Sequence, residues 1–491
     1  MSRSDTVTFI LDGKLHSIRF DGSTAFKPST TVLNYLRSLD NHKGVKEGCA
    51  EGDCGACTVV VASKGENGRL NYEALDSCLV FLPMIHGKQL ITVENLKDTS
   101  YGPSGLHPVQ DLMVTENGSQ CGYCTPGFIM SMFALYKNYH NPSREVILDA
   151  LTGNLCRCTG YQPIVNAAQK ACQNHGKDHF SITEPQVEEM IASMEKSAAD
   201  LVLSAMGQQY FLPASLDAAL EIRERYPDAV LVSGATDVAL RQTKKNEFFP
   251  VVVDLSAVRE LRHYATEENP LTFGAAITLE QLKNLVRETL PALYDMLVVF
   301  GSLQIRNMAT LGGNIGSASP IGDALPLLFA YKAKVRLHHK TKGERTLPIE
   351  EFITGYRQTA LLPGELITQI IIPVPDKDTL IKSYKVSRRK DLDISTVSAA
   401  FALKLDKKGW TEEVILAYGG MAAKTQRATR TETFLLWEPW EEKQIHKAMK
   451  LVEEEFTPLS DARAHKEARK IAASNLLLKF YNDTGEKDSS L

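Results

Sequence analysis

The sequence has no long apolar run and no large excess of charge of either sign. Its 491 residues include 55 basic and 59 acidic side chains, for a formal net charge of −4. This balance gives no reason to expect a nucleic-acid partner or an anionic membrane surface. Nothing approaches the apolar length of a membrane-spanning helix, and the start Met1-Ser-Arg-Ser-Asp5 lacks the apolar core of a signal peptide. We therefore expect a cytoplasmic protein without a membrane partner.

Cysteine is missing from most of the chain. All nine cysteines lie between Cys49 and Cys172, and none follows. A disulfide framework is typical of small secreted domains, whereas this chain is long enough for several domains. Clustered thiols in a reducing compartment indicate metal or redox chemistry instead. No Ser–His–Asp or metal–water hydrolase pattern is evident, so we expect none of the side chains to act as a catalytic acid, base or nucleophile.

Residues 1–95 have the pattern of a small α+β domain. Two alternating segments flank the turn pair Asp12-Gly13 and predict a hairpin over residues 5–20. Thr31 and the residues before it are suited to capping a helix. A cysteine-rich loop and the β-branched strand Thr58–Ala62 follow.

The remaining chain predicts further domains of different construction. Residues 96–175 have helical periodicity, with helices expected from Pro126 and after Asn141. Residues 176–204 contain few large apolar side chains and are the best linker candidate. Strand-like and helical stretches alternate over 205–376, where we expect two subdomains, and again over 377–491. The predicted fold class is multidomain α+β.

The first cysteine group consists of Cys49, Cys54, Cys57 and Cys78. The spacing of Cys49-Ala-Glu-Gly-Asp-Cys54-Gly-Ala-Cys57, with a distant fourth thiol, is that of plant-type [2Fe–2S] proteins. Glycines within the loop allow the tight turns that a buried cluster requires. A structural zinc site is the alternative, but zinc thiolates usually come in two paired knuckles. The spacing therefore favours an iron–sulfur cluster.

The second cysteine group consists of Cys121, Cys124, Cys156 and Cys158. Its two short pairs, C-x2-C and C-x-C, leave zinc as a fair competitor on spacing alone. The ninth cysteine, Cys172, fits neither group, and we expect an inert, at least partly buried thiol.

The surroundings of the second group are more specific than its spacing. Gln120-Cys-Gly-Tyr-Cys-Thr-Pro-Gly127 and Gly153-Asn-Leu-Cys-Arg-Cys-Thr-Gly-Tyr161 resemble the helical [2Fe–2S] domain of the xanthine dehydrogenase and aldehyde oxidase family of molybdenum hydroxylases. The resemblance implies a β-grasp ferredoxin-like domain, a four-helix [2Fe–2S] domain, an α+β FAD-binding domain and a C-terminal α+β flavoprotein domain. It also implies that Gln120 contacts the pterin and that Cys158 lies where electrons enter.

Two glycine-rich segments lie in the predicted FAD-binding domain. They do not form a Rossmann fingerprint or a P-loop, and on composition alone a plain turn is the favoured interpretation. Both resemble FAD-binding segments of the same family, the second containing a Gly-Gly-Asn loop. The resemblance also implies a flavin contact for Lys385 and a nicotinamide-pocket position for Tyr356. The implied FAD-binding residues of the two segments are Leu231, Val232, Ser233, Gly234, Ala235, Thr236, Asp237, Thr310, Gly313, Asn314 and Asp323.

The resemblance finally implies a role and partners. The chain most resembles the iron–sulfur and FAD subunit of bacterial-type xanthine dehydrogenases. This resemblance implies two [2Fe–2S] clusters and FAD on this chain. Molybdopterin would then lie on a separate large subunit, NAD⁺ would be the acceptor, and the assembly would be a dimer of heterodimers. The alternatives are a related molybdenum hydroxylase acting on an aldehyde or N-heterocycle, a stand-alone NADH diaphorase, and a non-catalytic zinc scaffold. NAD⁺ and oxygen both remain open as final acceptors.

Overall fold

The computed structural model describes residues 3–65, 68–173, 176–196 and 200–485. The chain divides into two compact units. The first contains Met1–Arg259 together with the short segment Ser302–Ala309, and the second contains Glu260–Gly301 and Thr310–Leu491. Both cysteine groups and the first glycine-rich segment therefore belong to the first unit.

The first sheet of the first unit contains the predicted hairpin. Six residue pairs join its two antiparallel strands, from Thr6–Arg19 to Leu11–Lys14, around the turn at Asp12 and Gly13. The predicted helix follows as Val32–Ser38, and the Thr31 hydroxyl accepts the Asn34 N–H at its start. The spatial strand order is Lys14–Arg19, Thr6–Leu11, Gln89–Ile91, Thr58–Lys64 and Leu70–Asp76.

The second sheet of the first unit shares an apolar core with the first sheet. Phe9, Phe81 and Tyr210 are fully buried in this common core, and the rings of Phe81 and Tyr210 meet edge to face at 6.5 Å. Two short helices, Leu216–Arg225 and Val238–Thr243, lie along this part of the chain. The spatial strand order is Arg3–Ser4, Asp200–Ala205, Gln208–Leu212, Val251–Asp254 and Val230–Val232.

The helical part of the first unit is built around one apolar helix. Thr125–Asn138 buries ten consecutive residues, Gly127–Tyr136, which is the pattern of a helix enclosed on all sides. The predicted helix after Asn141 is capped by Ser143, as its composition indicates. Four helices make up the segment, and the multidomain α+β class is confirmed: Pro108–Thr115, Thr125–Asn138, Arg144–Leu151 and Gln162–Gln173.

The predicted linker differs most from the structure. Residues 176–204 include the helix His179–Lys196 and the beginning of the strand Asp200–Ala205. Phe180, Val187 and Ile191 are buried in the helical core, and the ring of Phe180 lies 4.8 Å from that of Phe133. A few apolar residues at helical spacing are enough to dock this helix, which explains why low overall hydrophobicity was misleading.

The second unit has two main sheets and several helices. Glu365–Ile372 is the central strand of the first sheet, and Lys466–Gly485 is the last helix along the described chain. No helix in the described ranges is both long and apolar enough to cross a membrane. The spatial strand order of the first sheet is Tyr264–Ala265, Leu271–Gly274, Glu365–Ile372, Lys334–His339 and Gly343–Pro348. The spatial strand order of the second sheet is Thr379–Val386, Val397–Leu405, Thr411–Gly419 and Gln426–Arg427. A two-stranded ribbon pairs Ile353–Gly355 with Gln358–Thr359, and the helices are Leu279–Leu285, Pro291–Val298, Leu311–Ser317, Ala324–Ala330, Ile349–Phe352, Thr429–Leu435, Glu442–Glu455 and Lys466–Gly485.

Candidate redox site

The first cysteine group forms two thiol pairs around one loop. The Cys54 thiol donates to Cys49, and together with backbone N–H groups this lowers the pKa of Cys49 to about 6. Cys57 and Cys78 are both buried, and the neighbouring Cys78 thiol together with burial raises the pKa of Cys57. Backbone N–H groups of Glu51 and Asp53 point at the Cys49 Sγ at 3.4 and 3.3 Å. Such N–H groups stabilise a thiolate and therefore a metal-bound sulfur.

Glycines of this loop are required for space as well as for conformation. A Cβ added at Gly48 would lie 2.7 Å from the Cys54 Sγ. Gly55 has φ +66°, and a Cβ there would lie 2.3 Å from the Gly153 carbonyl oxygen. The loop is thus shaped to bring the thiols close to one another and to the neighbouring chain segment.

A buried carboxyl group lies beside the first group. Asp76 is fully buried, and its Oδ1 lies 3.6 Å from the Cys57 Sγ, which donates to it. Burial raises the pKa of Asp76 to about 8, and the nearby Cys49 adds to this effect. The sequence did not single out this residue, because one acidic side chain at the end of a strand carries no distinctive pattern.

The second cysteine group lies in two loops that connect helices. Cys124 directly precedes the helix Thr125–Asn138, and its thiol donates to Cys156. The Cys158 thiol donates to Cys121, and both of these cysteines are exposed. The Thr159 hydroxyl and the Cys158 N–H both donate to the Cys156 Sγ, at 3.2 and 3.4 Å.

The pairwise grouping fits two-iron clusters. In a [2Fe–2S] cluster four thiolates are shared between two irons, whereas in a zinc site four ligands surround one ion. The remaining thiol, Cys172, is 1% exposed, and burial raises its pKa to about 11. It is therefore the buried thiol that the sequence predicts.

The two cysteine groups are joined by backbone contacts. The Leu155 N–H donates to the Cys54 carbonyl oxygen at 3.0 Å, so residues adjacent to one group bond directly to a residue of the other. Gly127 also lies against the first loop, since a Cβ there would be 2.1 Å from the Gly55 carbonyl oxygen. The spacing of the two groups is thus determined by main-chain packing.

The first glycine-rich segment follows a strand of the first unit. Leu231 and Val232 lie within the strand Val230–Val232, and Gly234 has φ +93°. A Cβ at Gly234 would lie 1.9 Å from the Met308 carbonyl oxygen. Ser233, Ala235, Thr236 and Asp237 complete the turn into the helix Val238–Thr243, with Asp237 at its N-cap position. This close backbone approach explains the glycine at position 234.

The second glycine-rich segment is a helix in the second unit, where the resemblance predicts a loop. Leu311–Ser317 is helical, and the Thr310 hydroxyl accepts the Gly313 N–H at 3.1 Å. Gly312 allows this helix to approach Ala275, because a Cβ at position 312 would lie 2.6 Å from the Ala275 carbonyl oxygen. Glycine serves helix packing here, which overrides its low helix propensity.

The second unit also contains polar groups suited to a flavin dinucleotide. The Lys385 Nζ donates to the Asp323 Oδ2 at 2.9 Å and to the Val299 carbonyl oxygen at 3.0 Å. Asn314 Oδ1 and Asp323 Oδ1 are buried without a hydrogen-bond partner among the described residues. Buried polar atoms usually have partners, so these atoms fit a bound polar ligand such as FAD.

Two further predicted residues lie on the surface. Gln120 is exposed beside Cys121, and Tyr356 is 62% exposed. Arg388, Arg389 and Lys390 are likewise exposed, and Arg389 pairs with Asp393. Exposure leaves Gln120 and Tyr356 available to molecules outside this chain.

Four known domain families match this chain in order. Residues 18–82 match a 2Fe-2S iron-sulfur cluster binding domain, and residues 92–169 match a [2Fe-2S] binding domain. Residues 204–375 match the FAD binding domain in molybdopterin dehydrogenase, and residues 382–484 match the CO dehydrogenase flavoprotein C-terminal domain. The matches cover most of the described chain.

Similar proteins include several xanthine dehydrogenases. Xanthine dehydrogenase 1 of Arabidopsis thaliana is 32% identical, over 92% of this chain and 38% of its own length. Xanthine dehydrogenase of Emericella nidulans is 34% identical, over 88% of this chain and 35% of its own length. The chain thus spans little more than a third of these relatives.

Solved structures show the same fold over part of the chain. CO dehydrogenase from Oligotropha carboxidovorans is 25% identical with a TM-score of 0.52, covering 55% of this chain and 94% of that one. Quinoline 2-oxidoreductase from Pseudomonas putida 86 is 24% identical with a TM-score of 0.51, covering 56% of this chain and 96% of that one, a likeness of fold alone.

The fold and the site define an iron–sulfur flavoprotein of the oxidoreductase class, with two 2Fe-2S domains and an FAD-binding domain. The four matching domains and the relatives identify its lineage. The chain belongs to the xanthine dehydrogenase family of molybdenum hydroxylases.

Proposed function

We propose that this chain is the electron-transfer subunit of a cytoplasmic xanthine dehydrogenase. It takes electrons from a molybdopterin centre on a partner subunit and delivers them to NAD⁺ during oxidation of hypoxanthine and xanthine to urate. The observation that carries this proposal is the bond from the Leu155 N–H to the Cys54 carbonyl oxygen. It connects two complete four-thiol groups within one compact unit.

Different residues of the two units would bind the iron–sulfur clusters and the flavin. The cysteine groups bind two [2Fe–2S] clusters, and backbone N–H groups stabilise the Sγ atoms of Cys49 and Cys156. When bound, the clusters exchange single electrons and FAD accepts a pair. In the second unit, Thr310, Asn314, Asp323 and Lys385 would hold the flavin.

The partner surface is the exposed side of the second cysteine group. Cys121 and Cys158 are exposed, unlike the buried Cys57 and Cys78. Gln120 lies exposed beside them and has an amide able to bond a pterin. The chain spans little more than a third of the length of these relatives, and the proposed partner is a large molybdenum subunit in a dimer of heterodimers.

The acceptor side belongs to the second unit. Tyr356 is exposed and provides an aromatic face on which a nicotinamide ring can stack. NAD⁺ is therefore the proposed acceptor.

The test is purification of the native complex through a tag on this chain. We expect about four iron and one FAD per chain, a co-purifying molybdenum subunit, and bleaching of the visible spectrum by xanthine that NAD⁺ reverses. Zinc in place of iron would contradict the redox role. Bleaching only by an aldehyde or another N-heterocycle would assign the chain to a related molybdenum hydroxylase, and bleaching only by NADH, without molybdenum, would make it a diaphorase.

A further inference from the structure

The short segment Ser302–Ala309 packs into the first unit although the chain on both sides of it belongs to the second. Arg306, which is fully buried, binds both carboxylate oxygens of Asp149 at 2.6 and 2.8 Å. The Asn307 side chain donates to the Ala74 carbonyl oxygen at 3.1 Å. Several specific bonds thus hold this segment against the part of the chain that contains the cysteines.

Gln304 reaches furthest into the first unit. Its side chain is fully buried, and its Nε2 donates to the Ser131 Oγ at 2.9 Å and to the Asn154 Oδ1 at 3.0 Å. The Ser131 hydroxyl also donates to the Asn154 Oδ1, at 2.6 Å. Both hydrogen bonds to this oxygen orient the Asn154 amide, so its Nδ2 points the opposite way.

Asn154 connects the loops of the two cysteine groups. Its Nδ2 donates to the Gly55 carbonyl oxygen at 3.0 Å and to the Thr58 Oγ1 at 3.1 Å. Gly55 lies directly after Cys54, and Asn154 lies two residues before Cys156. An amide that bonds on both sides inside a dry core has a single low-energy orientation. Gln304 therefore influences the position of both cysteine loops through the side chain of Asn154.

The space around Gln304 is as specific as its hydrogen bonds. A Cβ added at Gly153 would lie 2.1 Å from the Gln304 Oε1 and 2.8 Å from the Ser302 Cβ. Gly153 therefore allows Gln304 to pack directly against the backbone that leads to the second cysteine group.

We propose that Gln304 is a positioning residue that sets the distance between the two iron–sulfur clusters. The inference rests on the proposed function, because it assumes that both cysteine groups bind clusters. Gln304 contacts neither cysteine group, and it acts by orienting Asn154.

The experiment compares Gln304→Met with wild type and with a matched control, Asn307→Ala, all as the full chain in its complex. The control removes a different hydrogen bond between the same segment and the first unit, leaving Asn154 intact. Iron content is measured first, followed by the electron paramagnetic resonance spectrum of the dithionite-reduced protein, in which the magnetic splitting between two reduced clusters depends on their separation and orientation.

We expect all three proteins to contain about four iron, with the wild-type splitting retained in Asn307→Ala and lost or altered in Gln304→Met. Gly153→Ala, which displaces the Gln304 side chain and leaves its chemistry unchanged, should show the same altered splitting and serves as the second variant if Gln304→Met accumulates poorly. Identical spectra for Gln304→Met and Asn307→Ala, whether both changed or both unchanged, would overturn the positioning role. A wild-type protein without iron would refute the proposed function itself, so the two failures are distinguishable.

Discussion

Gly55 and Gly13 have nearly the same backbone conformation in very different surroundings, with φ +66° and +68°. A Cβ at Gly55 would meet Gly153 and Asn154 at 2.3 and 2.4 Å, whereas a Cβ at Gly13 would meet nothing within 4 Å. Comparing substitutions at these two glycines therefore separates the free-energy cost of a side chain at positive φ from the free-energy cost of steric overlap.

We expect Gly13→Ala to lower the free energy of unfolding by about 1 kcal/mol, the ordinary cost of a side chain at positive φ. Gly55→Ala should lower the free energy of unfolding several-fold more. It should also reduce the iron content, because the first cysteine loop must move away from Asn154. Thermal unfolding and iron analysis of both variants test this. Equal shifts in midpoint, with full iron in both, would show that the close packing around Gly55 is unimportant.

Cys124 and Cys172 are both thiols of the helical segment, but only Cys124 pairs with another cysteine. Replacing Cys124 by alanine should lower the iron content from about four to about two per chain, since a [2Fe–2S] cluster needs four ligands. Cys172→Ala should retain about four iron per chain. It should lower the free energy of unfolding only through the small cavity that it leaves. Iron loss of the same size in both variants would contradict the assignment of the second group.

At the scale of elements, one buried ion pair holds the helix His179–Lys196 in place. The Lys137 Nζ lies 2.8 Å from the Asp178 Oδ1, with side-chain exposures of 5% and 0%. His107, also buried, lies 3.3 Å from the Asp178 Oδ2. Asp178 directly precedes the helix, and its Oδ1 accepts the Ser181 N–H. The segment predicted as a linker is thus fastened electrostatically as well as by its apolar side.

Lys137→Met should therefore lower the free energy of unfolding by about 3 kcal/mol, because it leaves the buried Asp178 carboxylate with one partner fewer. The matched control is Lys170→Met, whose partner Glu116 lies 2.6 Å away in a pair with 52% and 19% exposed side chains. Surface pairs contribute about 0–1 kcal/mol. Denaturant titration of the two variants measures the difference, and equal midpoints would show that Asp178 does not depend on Lys137.

The same cluster has a defined pH dependence. Burial alone would raise the pKa of Asp178, but the hydrogen bond from His107 and the charge of Lys137 outweigh it, and the pKa lies well below its usual range. Burial also lowers the pKa of His107. Both groups bind more protons in the unfolded chain, so stability falls as the pH falls. His107 contributes to the loss below about pH 6.5 and Asp178 below about pH 4.

Lys137→Met should move the acid unfolding midpoint to higher pH, because the pKa of Asp178 rises when its cation is removed. Lys170→Met should leave that midpoint close to wild type. Far-UV circular dichroism during acid titration measures both midpoints. An unchanged midpoint in Lys137→Met would contradict the assigned role of the ion pair.

At the scale of the whole molecule, the two units carry different parts of the proposed cofactor set. The eight paired cysteines all lie in the first unit, while Asp323 and Lys385 lie in the second. Their side chains, each 6% exposed, form an ion pair at 2.9 Å. The separation predicts that flavin content and iron content respond to different substitutions.

Lys385→Met should weaken FAD binding by about tenfold, on the order of 1.4 kcal/mol, and leave about four iron in place. Lys382→Met is the matched control, since Lys382 lies on the same strand and is exposed. Flavin absorbance after dialysis, together with iron analysis, measures both effects. Loss of iron along with FAD in Lys385→Met would contradict independent loading of the two units.

Much of the local structure follows from the sequence alone. The hairpin around Asp12-Gly13, the helix after Thr31 and the helix after Ser143 all agree with expectation. Turn residues, caps and periodicity act over a few neighbouring residues, so they are readable without the fold. The C-x4-C-x2-C, C-x2-C and C-x-C spacings were readable for the same reason, because each is contained within a few neighbouring residues.

Only the tertiary structure decided the features that depend on distant contacts. No sequence pattern indicates that Asn154 and Gln304 meet, although they do so across 150 positions in the chain. The helix at His179–Lys196 was missed because its few apolar residues become meaningful only against Phe133. The Gly-Gly-Asn segment is helical, and Gly312 lets this helix pack against Ala275. Local chemistry therefore determined which groups could bind cofactors, and long-range packing determined where those groups lie, since burial and steric fit depend on residues far apart in sequence.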